Sequence, residues 1–222
     1  MDVAAFIAEY RGVTRDNSTP PLWSDAEILG YLNDALNEAC ERALLLEDRT
    51  TPACCAIALV AGTDTYLLHA SVIKVKRVSF RGRALTESSV EAEDRRDANW
   101  EGRTGEPQRY ILTDGQLRLV PTPNASVTGQ SLALTVYRRE LTARSLAAPN
   151  NTAPEVNERF HLRLMNWLYC RGYSKADAET FSSVKATEFE TRFTADFGAK
   201  VDANVQRKRR DRRPPVVRYA RY

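Results

Sequence analysis

The sequence has few of the residues from which metal sites are usually built. Its 222 residues include two histidines and four cysteines, and the cysteines form no CxxC pair. Zinc ligands occur at short regular spacings, so no zinc site is predicted. The thiols are expected to be buried and free. Cys54 and Cys55 are expected to lie in a strand, pointing to opposite faces and unable to act together.

Motifs for nucleotide binding and covalent catalysis are also missing, including GxGxxG, a Walker loop and GxSxG. His161 lies near Glu158 but has no nucleophile beside it, so this histidine and His69 are interpreted as structural. The acidic run from Glu87 to Asp97 could hold a divalent cation, but two arginines interrupt it, which favours a solvated loop. We therefore predict no enzyme, no cofactor and no metal.

Long apolar runs are absent too. No stretch approaches the roughly 18 apolar residues of a membrane span. The first residues, MDVAAFIAEYRG, lack the basic flank of a secretory signal. We expect a soluble protein, made in the cytoplasm, with no membrane partner.

Excess positive charge is missing from most of the chain. The segment Arg207 to Tyr222 (RKRRDRRPPVVRYARY) holds eight of the 32 basic residues and one acid. Subtracting its +7 from the whole-chain +3 leaves −4 on residues 1–206. The basic charge thus belongs to an arm, which favours a specific partner over general attraction to polyanions.

The arm mixes arginines with apolar residues. Pro214 and Pro215 prevent a helix and favour extended backbone. Val216, Val217, Tyr219 and Tyr222 then suit a groove or sheet edge of a partner protein. From the residues alone, contact with nucleic acid and a solvated disordered tail stay open as alternatives.

Hydrophobic periodicity predicts helices at the start of the chain. Asp2 caps a helix from Val3 to Arg11, which the polar stretch after it ends. Ser24 and Glu27 form a capping box for a second helix that ends near Leu46. From Thr51 the period becomes that of strands.

Six or seven short strands are predicted in the middle of the chain. CCAIALV and TYLLH are interpreted as a hairpin, SVIKVKRVSF and SLALTVYRR as single strands. RYIL and QLRLV flank Asp114-Gly115, which favours a type I′ hairpin turn. This number of strands is typical of a small antiparallel sandwich or curled sheet.

The helical pattern returns at Pro154, the predicted first residue of a helix buried on more than one side, with Leu162 among its buried residues. A last helix is predicted from about Ser183 to about Arg209. Its apolar residues are spaced by fours, so the stripe winds around the axis and can contact more than one neighbour. We expect this stripe to form a subunit interface: Phe189, Phe193, Phe197, Val201 and Val205.

These elements predict an α+β fold in three parts. Residues 1–50 and 152–206 form a bundle of about four helices, residues 51–151 an inserted β lobe, and residues 207–222 an extended basic C-terminal arm.

Five segments in this order resemble the head-to-tail adaptor (connector) proteins of tailed bacteriophages. They are WSDAEILGYLNDALNEACERALLLED, QLRLVPTP, LALTVYRREL, ERFHLRLMNWLYCRGYSK and the final helix, so the resemblance covers nearly the whole chain. It implies a structural virion protein of the head-tail junction, assembled into a homo-oligomeric ring, usually of twelve copies, beneath the portal. Tail or nozzle proteins dock on the other side, and genomic DNA passes through the channel. The charged segment Glu87 to Gly105 departs from a minimal member.

The resemblance also implies that the C-terminal arm embeds in the portal protein. The residues expected to bind there are Arg207, Arg209, Arg210, Arg212, Arg213, Val216, Val217, Arg218, Tyr219, Arg221 and Tyr222. An acidic body suits a channel through which DNA slides without sticking. The alternatives are a nucleic-acid-binding protein that uses its basic tail and, less favoured, a hydrolase with an unrecognised site.

Overall fold

The computed structural model describes residues 1–177, 179–200 and 202. Over these residues the fold is α+β, as predicted. Its α-helices are Val3–Thr14 (α1), Asp25–Ala43 (α2), Pro52–Cys55 (α3), Val90–Arg96 (α4), His161–Tyr173 (α5) and Ser183–Phe197 (α6). Its strands are Leu46–Asp48 (β1), Ala56–Ala58 (β2), Thr65–Leu67 (β3), Val72–Phe80 (β4), Arg83–Ala84 (β5), Thr86–Ser88 (β6), Thr104–Gly105 (β7), Arg109–Thr113 (β8), Gln116–Val120 (β9), Thr122–Pro123 (β10) and Ser131–Arg138 (β11).

Side-chain caps fix the starts of the first two helices. The Asp2 carboxylate accepts a hydrogen bond from the Ala5 amide at 2.9 Å. In the capping box, Ser24 Oγ accepts from the Glu27 amide and Glu27 Oε2 accepts from the Ser24 amide. Both predicted starts are confirmed. The ends differ: α1 continues to Thr14, and α2 stops at Ala43 because the next residue takes a left-handed conformation.

Three predictions about the C-terminal helices are wrong. Pro154 is not helical, because the chain stays irregular until a 3-10 turn at Glu158–Phe160 leads into α5. The last helix ends at Phe197, well before Arg209, because Gly198 adopts a φ of 87° that no α-helix contains. Leu162 is also not buried: it is 66% exposed.

Four helices, α1, α2, α5 and α6, contribute to one hydrophobic cluster, which we call the helical core. Aromatic side chains dominate it. Trp167 of α5 lies 4.9 Å from Phe193 of α6 between ring centroids, and Tyr10 of α1 stacks on Tyr169 at 5.5 Å. Rings from three helices thus interlock, which stabilises their relative positions.

The strands form two main sheets. One contains β1, β11, β4 and β5 in that order, with β2 also paired to β11. The other has the order β3, β9, β8, β6, and β7 pairs separately with β10. Buried side chains of both main sheets, including Val78, Leu132, Leu117 and Leu119, share a second cluster, the β core. The arrangement is a small sandwich.

The sandwich is not wholly antiparallel, and it has more strands than expected. The pair β6–β8 is parallel because α4 forms the crossover connection between them, and β7–β10 is parallel too. The predicted hairpin at CCAIALV and TYLLH is wrong. Pro52 opens a helical turn there, β2 pairs with β11 and β3 pairs with β9, so the two segments enter different sheets.

The other strand predictions fit better. The β8–β9 hairpin is confirmed, with Thr113 paired to Gln116. Its turn is not type I′, because Gly115 has a positive φ and Asp114 does not. The strand at SLALTVYRR is confirmed, with Leu132, Leu134 and Val136 buried.

Candidate functional site

The first candidate surface for contact with a partner lies at the end of α6. Gly198 stops the helix, and Arg42 of α2 donates hydrogen bonds to the Gly198 carbonyl at 3.2 Å and to Thr194 Oγ1 at 3.1 Å. Lys200 Nζ lies 3.0 Å from Glu38 Oε2. The last described residues are therefore held against the C-terminal half of α2. The predicted portal-binding residues, Arg207 to Tyr222, lie outside the described residues.

The phenylalanines of α6 do not form an exposed stripe. Phe193 and Phe197 are fully buried in the helical core, and Phe189 is half-buried with its ring 4.9 Å from that of Tyr169. The prediction of an exposed subunit contact is wrong for Phe193 and Phe197, because α5 covers this face within the same chain. Val201 and Val205 lie outside the described residues.

Exposed apolar side chains lie at other positions of the helical part. Phe181 is 58% exposed and Val184, at the start of α6, is 77% exposed. The spacing of apolar residues within α6 did not indicate them, because the first precedes the helix and the second lies outside the stripe.

The charged segment before β8 is folded, so the prediction of a solvated loop is wrong. Glu93 of α4 is fully buried and accepts hydrogen bonds from Arg109 Nε of β8 and from Ser88 Oγ. Burial raises the pKa of Glu93, but these hydrogen bonds and the nearby guanidinium groups outweigh it and hold the pKa below its ordinary value. The carboxylate therefore stays ionised and fixes α4 to the sheet.

An aromatic residue completes this attachment. Trp100 packs with Ile111 and Val120, and its Nε1 donates to Asp94 at 2.8 Å. The guanidinium of Arg118 lies 4.5 Å from the ring centroid. We call residues 87–106 the acidic cap, since α4 and the turn at Trp100 cover the outer face of the second sheet.

Cys54 and Cys55 are close together, contrary to prediction, because they lie in a helical turn and not in a strand. Their sulfurs are 3.6 Å apart, and both are close to the Asp48 carboxylate. These three residues could in principle ligate a metal ion. However, Asp48 already accepts from Arg138 Nε and Thr51 Oγ1 at 2.7 Å each.

The protonation states favour a hydrogen-bonded cluster over a metal site. Burial raises the pKa of Cys55 to about 12, so its thiol stays protonated. Burial also raises the pKa of Asp48, but hydrogen bonds from Thr50, Thr51 and Arg138 outweigh it and lower the pKa below its ordinary value. A metal ion would have to displace the guanidinium and remove the proton of the Cys55 thiol.

Both histidines make structural hydrogen bonds. His161 is buried, with Nε2 2.9 Å from the Val156 carbonyl oxygen, and burial lowers its pKa. His69 Nδ1 lies 2.8 Å from Ser71 Oγ at the edge of an open cleft of about 240 Å³ beside α2. Glu140, also in that cleft, accepts from the Glu155 amide. These groups connect parts of the chain and form no nucleophile-base pair.

Comparison with known proteins decides the family. The model of the family described as SU10 adaptor protein matches residues 1–219. The chain belongs to this family. Its members are head-to-tail adaptors of tailed phages, so the family resemblance seen in the sequence is confirmed. No curated protein matches the sequence.

The polar clusters described above fit membership of the adaptor family. An adaptor has a structural role in the virion, which suits a molecule whose polar clusters bind its own chain. Among the described residues, no helix has the length and apolar character needed to cross a membrane. In the described part of the chain, the end near Lys200 and the outer residues of the first sheet, such as Lys74 and Ala133, are exposed.

Proposed function

We propose that this chain forms a homo-oligomeric ring, of twelve copies as is usual in the adaptors it resembles, beneath the portal at the head-tail junction. The ring extends the DNA channel and provides the platform on which tail or nozzle proteins dock. The observation that carries the proposal is the adaptor family match over residues 1–219. The net charge of −4 on residues 1–206 supports it, since an acidic lining lets DNA pass without phosphate contacts.

The proposed ring subunit has three parts. Residues 1–50 and 152–206 form the helical bundle, residues 51–151 the β lobe, and residues 207–222 the basic arm. The separate helical and β cores support the first two parts. Strand β1 precedes residue 51 and pairs with β11, so the chain joins the sheet slightly before that boundary.

The arm is proposed to anchor the ring in the portal protein. It binds in an extended conformation, with its arginines on carboxylates and its valines and tyrosines in apolar pockets. Ordering a backbone residue costs roughly 1 kcal/mol or more, and exposed ion pairs contribute little, so the apolar anchors must contribute. The contacts of Arg42 with Gly198 and of Lys200 with Glu38 hold the chain beside α2 on the N-terminal side of the arm.

Deletion of residues 207–222 tests the anchor. We expect a folded protein that no longer joins portal-bearing heads in an in vitro assembly assay. A second variant, Tyr219→Ala with Tyr222→Ala, keeps every arginine and should also lose joining. The matched control replaces exposed Phe181 with alanine, outside the arm, and should join normally.

The competing nucleic-acid function predicts a different pattern. Binding to any duplex DNA would fall steeply with salt and follow the number of arginines, and the tyrosine substitutions would change little. The portal-anchor proposal is wrong if the deletion variant joins heads normally.

A further inference from the structure

The acidic charge of residues 1–206 is divided unevenly between the helical part and the β lobe. Residues 51–151 contain 13 basic and 10 acidic residues, whereas residues 1–50 and 152–206 together contain 11 basic and 18 acidic ones. The β lobe therefore has a net charge of +3 and the helical part a net charge of −7. The acidic charge that repels DNA thus belongs to the helical part, and the β lobe differs from it in sign.

Part of the positive charge lies on the outer face of the first sheet. In β11, Thr135 and Tyr137 alternate with residues that point into the β core, so their cross-strand partners Arg77 and Lys74 point outwards with them. Lys74 and Arg77 are exposed, and neither makes an ion pair within the part of the chain that the structure describes. This face therefore presents two unneutralised positive charges, about one residue position apart on each side of Lys76.

The rest of the face is flat. In the registers of β11 with its neighbours, Ser131 lies beside Ala58, and Ala133 lies between Ala56 and Ser79. Because side chains alternate across a strand, these short side chains share one surface with Lys74 and Arg77. The acid on this surface is Glu47 of β1, which pairs with Lys76 at 2.7 Å. A second molecule can therefore approach the sheet closely without meeting a free carboxylate there.

The same face lacks the side chains that anchor protein partners. Protein interfaces depend on a few large apolar or aromatic residues near their centre. Of the large apolar side chains that are exposed in the described residues, none lies on β1, β2, β4 or β11. Tyr137 is half-buried, and Lys76 Nζ lies 5.5 Å from its ring centroid, so this ring is not free to stack on the base of a single strand. Duplex DNA needs neither feature, because phosphate contacts supply its non-specific binding.

We propose that the outer face of the first sheet contacts the phosphate backbone of duplex DNA, with Lys74 and Arg77 each neutralising one phosphate. Such contacts carry no sequence information and allow a protein to slide along DNA, so they are compatible with passage of the genome. In a ring, every copy contributes the same two charges. The inference rests on the proposed DNA channel and names the surface of the subunit that meets the DNA within it.

The salt dependence of DNA binding by the full-length chain tests this contact. The probe is a short, fluorescently labelled duplex of mixed sequence, titrated at salt concentrations between about 50 and 200 mM and followed by anisotropy. Lys74→Gln with Arg77→Gln should make the slope of log affinity against log salt concentration shallower by about 1.8 for each subunit in contact, since each phosphate contact contributes ~0.9. The charge-preserving exchange, Lys74→Arg with Arg77→Lys, should keep the wild-type slope.

The matched control is Arg15→Gln with Lys185→Gln. It removes two exposed positive charges from the helical part and changes the net charge by the same amount, so it should keep the wild-type slope. The basic arm is identical in all these variants, so its own contacts with DNA do not affect the comparison. Circular dichroism establishes that each variant is folded.

Three outcomes would overturn the inference. In the first, the slope is unchanged in Lys74→Gln with Arg77→Gln, so DNA is bound by the arm alone. In the second, the control lowers the slope as much, so only net charge matters. In the third, the slope is unchanged but joining to portal-bearing heads is lost, which makes the face a protein-docking surface. The proposed ring is measured separately, by mass photometry: if wild type forms no ring but the slope still falls as expected, the ring is wrong and the phosphate-binding surface is correct.

Discussion

The helical core and the acidic cap keep their positions by different physical means. In the helical core, aromatic rings from distant parts of the chain interlock, as between Trp167 and Phe193. In the cap, the buried carboxylate of Glu93 and the cation-aromatic contact from Arg118 to Trp100 help a small apolar cluster around Trp100 to attach a short helix to a sheet. The first arrangement depends on filled volume, and the second depends on charge as well. The two regions should therefore respond to different perturbations.

The largest expected effect is loss of volume in the helical core. Phe193→Ala removes a fully buried ring that contacts Trp167 and Phe197, and we expect it to lower the free energy of unfolding by about 3–5 kcal/mol. Urea denaturation followed by tryptophan fluorescence measures the change. Phe181→Ala, at a 58% exposed position, is the control and should change stability by less than about 0.5 kcal/mol. A Phe193 variant of wild-type stability that fails to assemble would restore the interface role first predicted for this residue.

These two regions also differ in how well the sequence predicted them. Periodicity shows that one side of α6 is buried, but it cannot distinguish burial against α5 from burial against another subunit, so the role of Phe193 was assigned wrongly. Short-range signals were more reliable. The Ser24–Glu27 box and the Asp-Gly hairpin were found because the interacting groups are only a few residues apart.

The sequence did not predict that the acidic cap is folded, because the contacts that stabilise it join residues of different elements. Glu93 is paired with Arg109, and Glu101 with Arg118. In the sequence, acids interrupted by arginines indicate a solvated loop, because an ion pair between strand and helix has no periodic pattern. The vicinal cysteines were missed for a related reason: Pro52 opens a helical turn inside a segment whose composition favours a strand.

A smaller effect, dependent on pH, is expected in the cap. Glu93→Gln removes the negative charge that Arg109 and Arg96 contact at 2.9 Å, and we expect a loss of about 2–3 kcal/mol near neutral pH. The folded-state pKa of Glu93 lies below its ordinary 4.5, so its contribution is present above that value and is lost as the pH falls through the folded pKa. The stability difference between wild type and variant should therefore shrink in denaturation series below about pH 4.5.

Phe193→Ala is the matched comparison for this titration. It removes no charge, so its stability difference from wild type should not change over the same pH range. If the stability differences of both variants from wild type shrink on acidification, acid destabilises the whole chain. The distinction between a core held by packing and a cap held partly by charge would then be wrong.

The smallest predicted effect compares alanine substitutions at two glycines of the helical part. An added Cβ at Gly172 of α5 would overlap the Tyr10 hydroxyl of α1, whereas a Cβ at Gly30 of α2 would have no heavy atom within 4 Å. Gly172→Ala should therefore destabilise the protein by about 1–3 kcal/mol through overpacking. Gly30→Ala should stabilise it by up to about 1 kcal/mol, because alanine is the better helix former and no contact opposes it. The effect of the same substitution on stability thus changes sign with the distance to the neighbouring helix. Thermal unfolding followed by circular dichroism measures both effects.

Equal shifts in melting temperature for the two variants would mean that α1 and α5 are not in close contact at Tyr10, and that the helical core is less tightly packed than its aromatic contacts indicate.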